Sequence, residues 1–579
     1  MQTHIKQRDS AVTDQFAGSD ISPLMQRVYA NRGITDAGQL AMSLKNMHSP
    51  YTLKDIHQAV ELLLHALDSK QRIIIVGDYD ADGATSSALA LRALKHLAAE
   101  VSYIVPSRFK FGYGLTPEIV EICGQQSAEL IITVDNGISS IAGAQHASDL
   151  GIKLLITDHH LPAADLPIAD AIVNPNQAGD QFPSKALAGV GVMFYLLIAL
   201  RAKLRELDWF NRHNIEPLDI VQWLDIVALG TVADVVPLDQ NNRILVEQGL
   251  RRMRAGKACE GIKALLSIAG IEHNRVLASD LGFQLGPRIN AAGRLEDMSI
   301  GVECLLTDDP ARASTIAASL HELNNTRREI ESEMQQQALQ SLAMLEKTEL
   351  TESSEMGLCV YQPGWHQGVV GILAARLKEK YYRPTIAFAD GDEQQLKGSA
   401  RSIPGLHIRD ILATVASQYP DLMTKFGGHA MAAGLSLPQD NYQAFKAAFN
   451  HVLARHLSAD DLQAYILSDG ELMAEQLSLT VAREIRNAGP WGQGFSVPVF
   501  DGHFEVLDQR IVGQKHLKLS LQATNSNNIL DAILFNYANF GWQTRAQTVH
   551  IAYQLEVNYF RGVETPQLII KHLQVIAMH

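Results

Sequence analysis

Between Ile73 and Pro175 short apolar runs alternate with polar endings: IIIV before GDYD, VSYIV before Pro106, LIITV before DNG, KLLIT before DHH and AIV before NP. Runs of aliphatic and β-branched residues at about 25-residue spacing, each followed by helix-forming material, predict buried parallel strands joined by crossover helices. The expected fold class is therefore α/β, with a doubly wound parallel sheet. In such sheets ligands bind beyond the carboxyl ends of the strands, so the polar residues that close each run are expected to converge.

The stretch from Val190 to about Leu250 is apolar and helical in character, and Asp309 to about Glu346 contains neither Gly nor an interior Pro break. The latter predicts one long connecting helix. Beyond it GLCVYQP, PTIAFAD and KGSARSI read as strands around a helix at Val370 to Tyr381, a second and smaller α/β lobe. From about Ser496 five segments alternate apolar and polar residues with period two, which predicts a small antiparallel barrel of OB type. The expected division is 1–50 N-terminal segment, 51–300 catalytic domain, 301–350 connecting helix, 351–460 substrate-binding lobe and 461–579 barrel. A chain of 579 residues exceeds the roughly 250 to 300 at which single cores stop growing.

Composition changes this picture little. With 46% hydrophobic and 19% charged residues the chain is of ordinary globular type, and no run approaches the ~18 apolar residues of a membrane span. The opening MQTHIKQRDS has no apolar stretch behind a basic start, so a cytoplasmic location without a membrane is expected. Cys123, Cys259, Cys304 and Cys359 stand singly, which argues against zinc ribbons and disulfide frameworks. A formal charge of −14 argues against broad binding to duplex DNA, although carboxylates that hold cations bias that sum.

The chemistry concentrates where the runs end. GDYDADG puts Asp78, Asp80 and Asp82 directly after a strand, and carboxylates this close repel unless a cation neutralises them. A solvated turn or helix cap is the plain alternative. TDHH sets Asp158, His159 and His160 at another strand end, Asp135 follows a third, and Asp234 stands alone in the apolar run VADVV, where an unpaired buried charge costs several kcal/mol. Carboxylates with imidazoles favour Mn²⁺ or Mg²⁺, and two such ions suit phosphoester hydrolysis.

The set GDYDADG, VDNGI, TDHH and LGTVADVVPL resembles the DHH phosphoesterase superfamily and, within it, the RecJ exonuclease branch. GPRINAAGRL, HQGVVGILAARL, KGSARS and FGGHAMAAG continue the resemblance in the same order. Lys110 and Phe111 before GYG depart from the pattern. The resemblance implies a 5′ to 3′ exonuclease specific for single-stranded DNA, acting in recombination and repair beside a single-strand-binding protein and a RecQ-type helicase. It implies two Mn²⁺ or Mg²⁺ ions held through Asp78, Asp80, Asp82, Asp135, Asp158, His159, His160 and Asp234, with His366 and Arg401 at the scissile group.

Strand contacts are expected from Arg288, Asn290, Arg294, Gln367, Ser399, Arg401, Gly427, Gly428 and His429. The Gly-rich FGGHAMAAG is read as a phosphate-binding loop, with a helix N-terminus packed on a sheet as the alternative. In the barrel Tyr559 and Arg561, with Phe560, form the expected stacking platform, although aromatics that merely fill the barrel fit the same pattern. RRMRAGK (251–257) reads as a solvated helix face, with a phosphate-tracking patch as the alternative. A small-substrate DHH phosphoesterase, such as a pyrophosphatase or oligoribonucleotide phosphodiesterase, and a non-catalytic single-strand-binding scaffold are the competing functions.

Overall fold

Strands form where the apolar runs lie. In the computed structural model β1 (Ile73–Val76), β2 (Val101–Ile104), β3 (Leu130–Val134), β4 (Lys153–Thr157) and β5 (Ala171–Val173) make one sheet in the order β2-β1-β3-β4-β5. Every pair is parallel. All four residues of β1 and all five of β3 are buried, as expected of strands covered on both faces. After β2 the chain returns to the far side of β1, so the strand order reverses between β1 and β3. That switch point opens a crevice at their carboxyl ends.

The described residues are all except 1–2, 10–15, 17, 107–113, 164, 349–354, 393, 459, 514, 524–526, 538–545 and 579. Lys110 and Phe111 therefore lie outside them. The chain divides into two compact units, Gln7–Asn324 with Ser468–His579, and Met1–Lys6 with Asn325–Leu467.

In the first unit helix α1 (Pro23–Ala30) precedes the sheet, and α2 (Ala81–His96) follows β1. Three more helices, α3 (Gly189–Glu206), α4 (Leu224–Ala233) and α5 (Gln240–Arg254), occupy the apolar stretch beyond β5, and α6 (Gly286–Leu295) contains GPRINAAGRL. Helix α4 is buried nearly throughout because its residues, Leu-Asp-Ile-Val-Ala-Leu-Gly-Thr, have no polar stripe to turn outward. The long helix α7 runs over Pro310–Thr348, close to the predicted span.

The second unit holds β6 (Leu358–Tyr361), α8 (Val370–Tyr381), β7 (Thr385–Asp390), β8 (Gln395–Arg401), β9 (Lys425–Gly428) and β10 (Ala432–Pro438), with strand order β9-β10-β8-β7-β6. FGGHAMAAG is thus neither a loop nor a helix start: it is the β9–β10 hairpin, in which Gly427 pairs with Gly434. The small residues that suggested a loop instead leave an exposed strand edge bare of side chains.

Back in the first unit, β11 (Phe500–Val512), β12 (His516–Ala523), β13 (Ile529–Leu534), β14 (Ala546–Phe560) and β15 (Val563–Met578) close a barrel in the order β11-β12-β13-β15-β14. Alternate residues such as Leu517, Leu519 and Leu521 fill it. The pairing is antiparallel except for β13 with β15, which run parallel, the arrangement of a five-stranded OB barrel. Among the described residues no helix is long and apolar enough to cross a membrane.

Candidate metal centre

Where β1 ends, Asp80 caps α2: its Oδ1 accepts the backbone N–H groups of Asp82 (2.9 Å) and Gly83 (3.0 Å). Asp82 bonds elsewhere. Its Oδ2 accepts from Gly189 N–H (2.6 Å) and its Oδ1 from Val190 N–H (3.0 Å), so the positive end of α3 holds it. Gly189 is required there, because a Cβ would lie 2.6 Å from the Asp135 Cβ. Asp135, just after β3, takes a left-handed backbone (φ 62°), a conformation Asp tolerates better than most residues.

After β4 the carboxylate of Asp158 is saturated from behind the site. Oδ1 accepts from the backbone of His159 (2.7 Å) and His160 (3.0 Å) and from His160 Nδ1 (2.7 Å), while Oδ2 accepts from Ile138 N–H (2.9 Å). With its proton on Nδ1, His160 offers Nε2 as its ligand atom, the usual carboxylate–histidine arrangement behind a metal. Asn174 and Asn176 then fix the loop, donating to the carbonyls of His160 (2.9 Å) and His159 (2.5 Å). Asp234 arrives from the end of α4 as its C-cap.

These elements bring seven of the eight predicted ligands into three overlapping groups, each with ligand atoms within 4.8 Å of one another: Asp135–His159–His160, Asp82–His159–Asp234 and Asp78–Asp80–Asp135. His159 Nε2 lies 3.1 Å from Asp135 Oδ1, 3.4 Å from Asp234 Oδ2 and 4.0 Å from Asp82 Oδ2. Asp158 belongs to none of the groups: its Oδ1 is spent on the two histidines and its Oδ2 on Ile138 N–H.

The electrostatics show what the site lacks by itself. Burial, then the charge of Asp80, pushes Asp82 up to about 7. Asp135 and Asp234 are raised well above the ordinary carboxylate range by burial and then by Asp82 and Asp80. Burial would also raise Asp158, but the hydrogen bond and charge of His160 outweigh it and hold Asp158 at about 2. Burial pulls His160 down and the bond to Asp158 pulls it up more strongly, to about 9.

The cluster therefore holds more negative charge than its own imidazoles neutralise, as a cation site should. The spacing fits too. An octahedral ion with bonds of about 2.1 Å has neighbouring ligand atoms about 3 Å apart, close to the His159–Asp135 separation. Oxygen and imidazole donors without a thiolate match Mn²⁺ or Mg²⁺.

The other predicted residues lie on several elements of the two units. Asn290 is a buttress, its Oδ1 accepting the N–H of Ala81 (2.7 Å) between two of the acidic residues. Arg288 is buried on the same helix, donating to the Gln284 carbonyl (2.6 Å), while Arg294 is half-buried. In the second unit Arg401 donates to Ser399 Oγ (3.0 Å), His366 Nδ1 accepts from Gly368 N–H (3.1 Å), and Gln367 donates to the Asp390 carbonyl (2.6 Å). Gly427, Gly428 and His429 are exposed on the edge hairpin.

On the barrel Tyr559 is half covered by Arg275, whose Cζ lies 3.6 Å from the ring centroid, and Arg561 lies over Phe560. Lys518 is paired with Asp531 (2.7 Å). In 251–257 Arg251 pairs with Glu247 (2.7 Å) and Arg252 donates to the Lys257 carbonyl (3.1 Å), ordinary contacts of a helix face.

Sequence reasoning missed Asn174, Asn176 and the Gly189–Val190 amides. The NPN following β5 was a visible signal for the first two. Nothing in an apolar GVG announces two amides aimed at a carboxylate.

Family models match in the same order: the DHH family N-terminal domain over residues 72–231, the DHHA1 domain over 355–455 and the RecJ OB domain over 468–572. The single-stranded-DNA-specific exonuclease RecJ of Salmonella typhimurium is 50% identical over 98% of each chain, and that of Escherichia coli K12 is 50% identical over 96% of each. The crystal structure of Thermus thermophilus RecJ with Mn²⁺ matches with a TM-score of 0.77 at 29% identity, covering 96% of this chain and 76% of that one. A second structure of the same protein contains Mg²⁺ and matches with a TM-score of 0.72. With half its residues shared along nearly the whole length, and with the acidic cluster lying at the end of the sheet where those strands close, this chain belongs to the RecJ family.

Proposed function

We propose that this chain is a metal-dependent exodeoxyribonuclease that digests single-stranded DNA from its 5′ end to 5′-mononucleotides, in DNA recombination and repair. The observation that carries the reading is the meeting of Asp78, Asp80, Asp82, Asp135, His159, His160 and Asp234 around two shared residues, Asp135 and His159. These seven would hold two Mn²⁺ or Mg²⁺ ions. When bound, such a pair supplies an activated water and neutralises both the attacking and the leaving oxygen of an in-line displacement.

The protein's own residues do the rest. Asp158 keeps the Nδ1 proton on His160 and so fixes the ring, while the α3 amides orient Asp82 and partly offset the burial that disfavours its charged form. Asn290 fixes the backbone between Asp80 and Asp82, and the two loop asparagines fix that of His159 and His160, so the ligands need little reorganisation. Arg401, His366, Ser399 and the bare edge at Gly427–His429 supply donors for strand phosphates, with Arg401 suited to two oxygens at once. The barrel adds sequence-tolerant binding along longer strands through Tyr559, Phe560 and Arg561. Polarity, the single-strand-binding protein and RecQ-type helicase as partners, and a cytoplasmic location come with the family reading.

The test is hydrolysis of 5′- and 3′-labelled single strands and of dinucleotides, with Mn²⁺ and with chelator. Release of labelled mononucleotide from the 5′-labelled strand at the first turnovers supports the proposal. Cleavage of dinucleotides without long strands would identify a small-substrate phosphoesterase, and strand binding without cleavage in excess Mn²⁺ a scaffold.

A further inference from the structure

The carboxylate of Asp234 is aimed by a backbone turn that its own residues do not favour. Val235, which follows it, has φ 63° and is 62% exposed. A β-branched residue in the left-handed region costs roughly 1 to 3 kcal/mol, and an exposed side chain recovers none of that by burial. Such a turn persists only where both flanks are held.

On the amino side Asp234 N–H and Val235 N–H close the last turn of α4 onto Gly230 (2.9 Å) and Val232 (3.2 Å). On the carboxyl side the anchor comes from far along the chain. Leu238 N–H donates to the Gln493 carbonyl (2.7 Å), and the buried Leu238 side chain lies against Gly492, where a Cβ would come within 2.6 Å of Leu238 Cδ1. Asn242 completes the clamp by donating to the Pro237 carbonyl (2.9 Å).

The segment Trp491–Phe495 that provides this anchor is itself rigid. The Trp491 and Phe495 rings stack at 5.0 Å and 14°, and Tyr29 of α1 stacks on Phe495 at 6.2 Å. Arg243 of α5 covers the Phe495 ring at 4.2 Å, and Arg32 stands 5.3 Å from Trp491. Trp491 Nε1 donates to the Ile485 carbonyl (2.9 Å), and Gly492 N–H to the Phe495 carbonyl (2.9 Å).

We infer that the Trp491–Phe495 loop, on the segment leading into the barrel, positions Asp234 in the metal centre by holding the Val235 turn, so that Gly492 and Phe495 are positioning residues for metal binding. The inference rests on the reading of Asp234 as a metal ligand. One consequence is that truncation before Ser478 removes this clamp along with the barrel, and hydrolysis of short oligomers falls together with long-strand binding.

The test is a Mn²⁺ titration of the full chain followed by the electron paramagnetic resonance of the free ion, on Asp234→Asn, Gly492→Val, Phe495→Ala, Val235→Gly and the pairs Gly492→Val/Val235→Gly and Phe495→Ala/Val235→Gly. Asp234→Asn and the two loop variants are expected to weaken the affected Mn²⁺ step about 10-fold or more. Val235→Gly alone is expected to change it less than about twofold, since Gly takes φ > 0 without cost. Added to either loop variant, it is expected to restore most of the loss. Thermal melts in chelator accompany each titration, because a loop that only stabilised the fold would lower Tm without moving Mn²⁺ binding in the still-folded protein. Unchanged Mn²⁺ binding in Asp234→Asn would remove the ligand reading beneath the inference. Weakened binding there, with normal binding in both loop variants or no rescue by Val235→Gly, would overturn the inference alone.

Discussion

The metal crevice and the edge of the second unit's sheet both carry phosphate chemistry in the proposed reading, and they are built in opposite ways. At the crevice Asp82, Asp135 and Asp158 are each 1% exposed, and backbone amides fix the carboxylates of Asp80, Asp82 and Asp158. At the hairpin edge Gly427, Gly428 and Gly434 are exposed, and only the strand ladder constrains them. In the proposed reading the first arrangement gathers charge that a cation neutralises, and the second offers backbone donors to a passing strand. Catalytic steps need the former because misplacement is costly, whereas processive tracking needs contacts that form and break.

From that contrast the largest loss is expected at the most crowded carboxylate. Asp135→Asn is expected to cost about 4 kcal/mol in the chemical step, roughly 10³-fold in kcat, with single-strand binding retained in chelator. Steady-state kinetics beside a binding titration checks it; equal loss of both would make Asp135 a folding residue.

Removing metal comes next. In the metal-free protein the folded-state pKa of Asp82 is raised to about 7, and Asp135 and Asp234 are also raised. The folded state therefore binds more protons than the unfolded chain between the ordinary carboxylate range and about 7. The associated stability is fully present below that ordinary range and is lost as pH rises through about 7. Thermal melts in chelator should show a lower Tm at pH 8 than at pH 6, and Mn²⁺ at 100 times its Kd should restore about 2.7 kcal/mol at the higher pH. A metal-free Tm that rises across this interval would contradict the crowding of charge.

Asp158→Asn tests orientation apart from ligation. It leaves the seven-residue cluster intact but removes the strong acceptor for His160 Nδ1, and a loss of roughly 10- to 100-fold in Mn²⁺ affinity or turnover is expected. A loss as large as that of Asp135→Asn would place the carboxylate among the ligands after all.

How much of this could be read from residues alone follows the same division. The crevice was legible because its acids follow apolar runs, and a strand has a definite end: once IIIV, LIITV and KLLIT are parallel neighbours, Asp78, Asp135 and Asp158 must lie together. The order of roles behind them was not legible. Asp158 and Asp80 have the same chemistry on paper, and only the fold shows one facing the histidine backbone and the other capping a helix while remaining in a metal group.

The FGGHAMAAG hairpin was misread for the opposite reason. Glycines and alanines have no alternation of apolar and polar side chains to mark a strand, so composition pointed to a loop. Asn290 and Arg288 are expected at a DNA strand from the family resemblance and the paired donors of the arginine; in the fold Asn290 accepts from Ala81 N–H on the acidic loop and Arg288 donates to the Gln284 carbonyl.

On the exposed side the expected effects shrink. Arg401→Lys keeps the charge but loses the planar fork, and KM for long single strands should rise roughly 10-fold with kcat nearly unchanged. A fall in kcat instead would move Arg401 from strand tracking to the reacting phosphate.

The smallest effect sharpens the comparison within the barrel. Tyr559 and Phe560 are adjacent and each faces a guanidinium, but Arg275 lies 3.6 Å from the Tyr559 centroid and leaves that ring 44% exposed, whereas Arg561 stands 5.1 Å from Phe560, which is 63% exposed. A base that stacks on an open aromatic gains about 1 kcal/mol or more, and a ring already capped by a guanidinium has less to offer. Phe560→Ala is therefore expected to weaken binding of a long single strand about fivefold, and Tyr559→Ala by less, with dinucleotide hydrolysis unchanged in both. Fluorescence anisotropy with a labelled oligomer distinguishes them. A larger loss at Tyr559 would mean that the Arg275–Tyr559 pair, rather than the more open Phe560 ring, is the surface the strand meets.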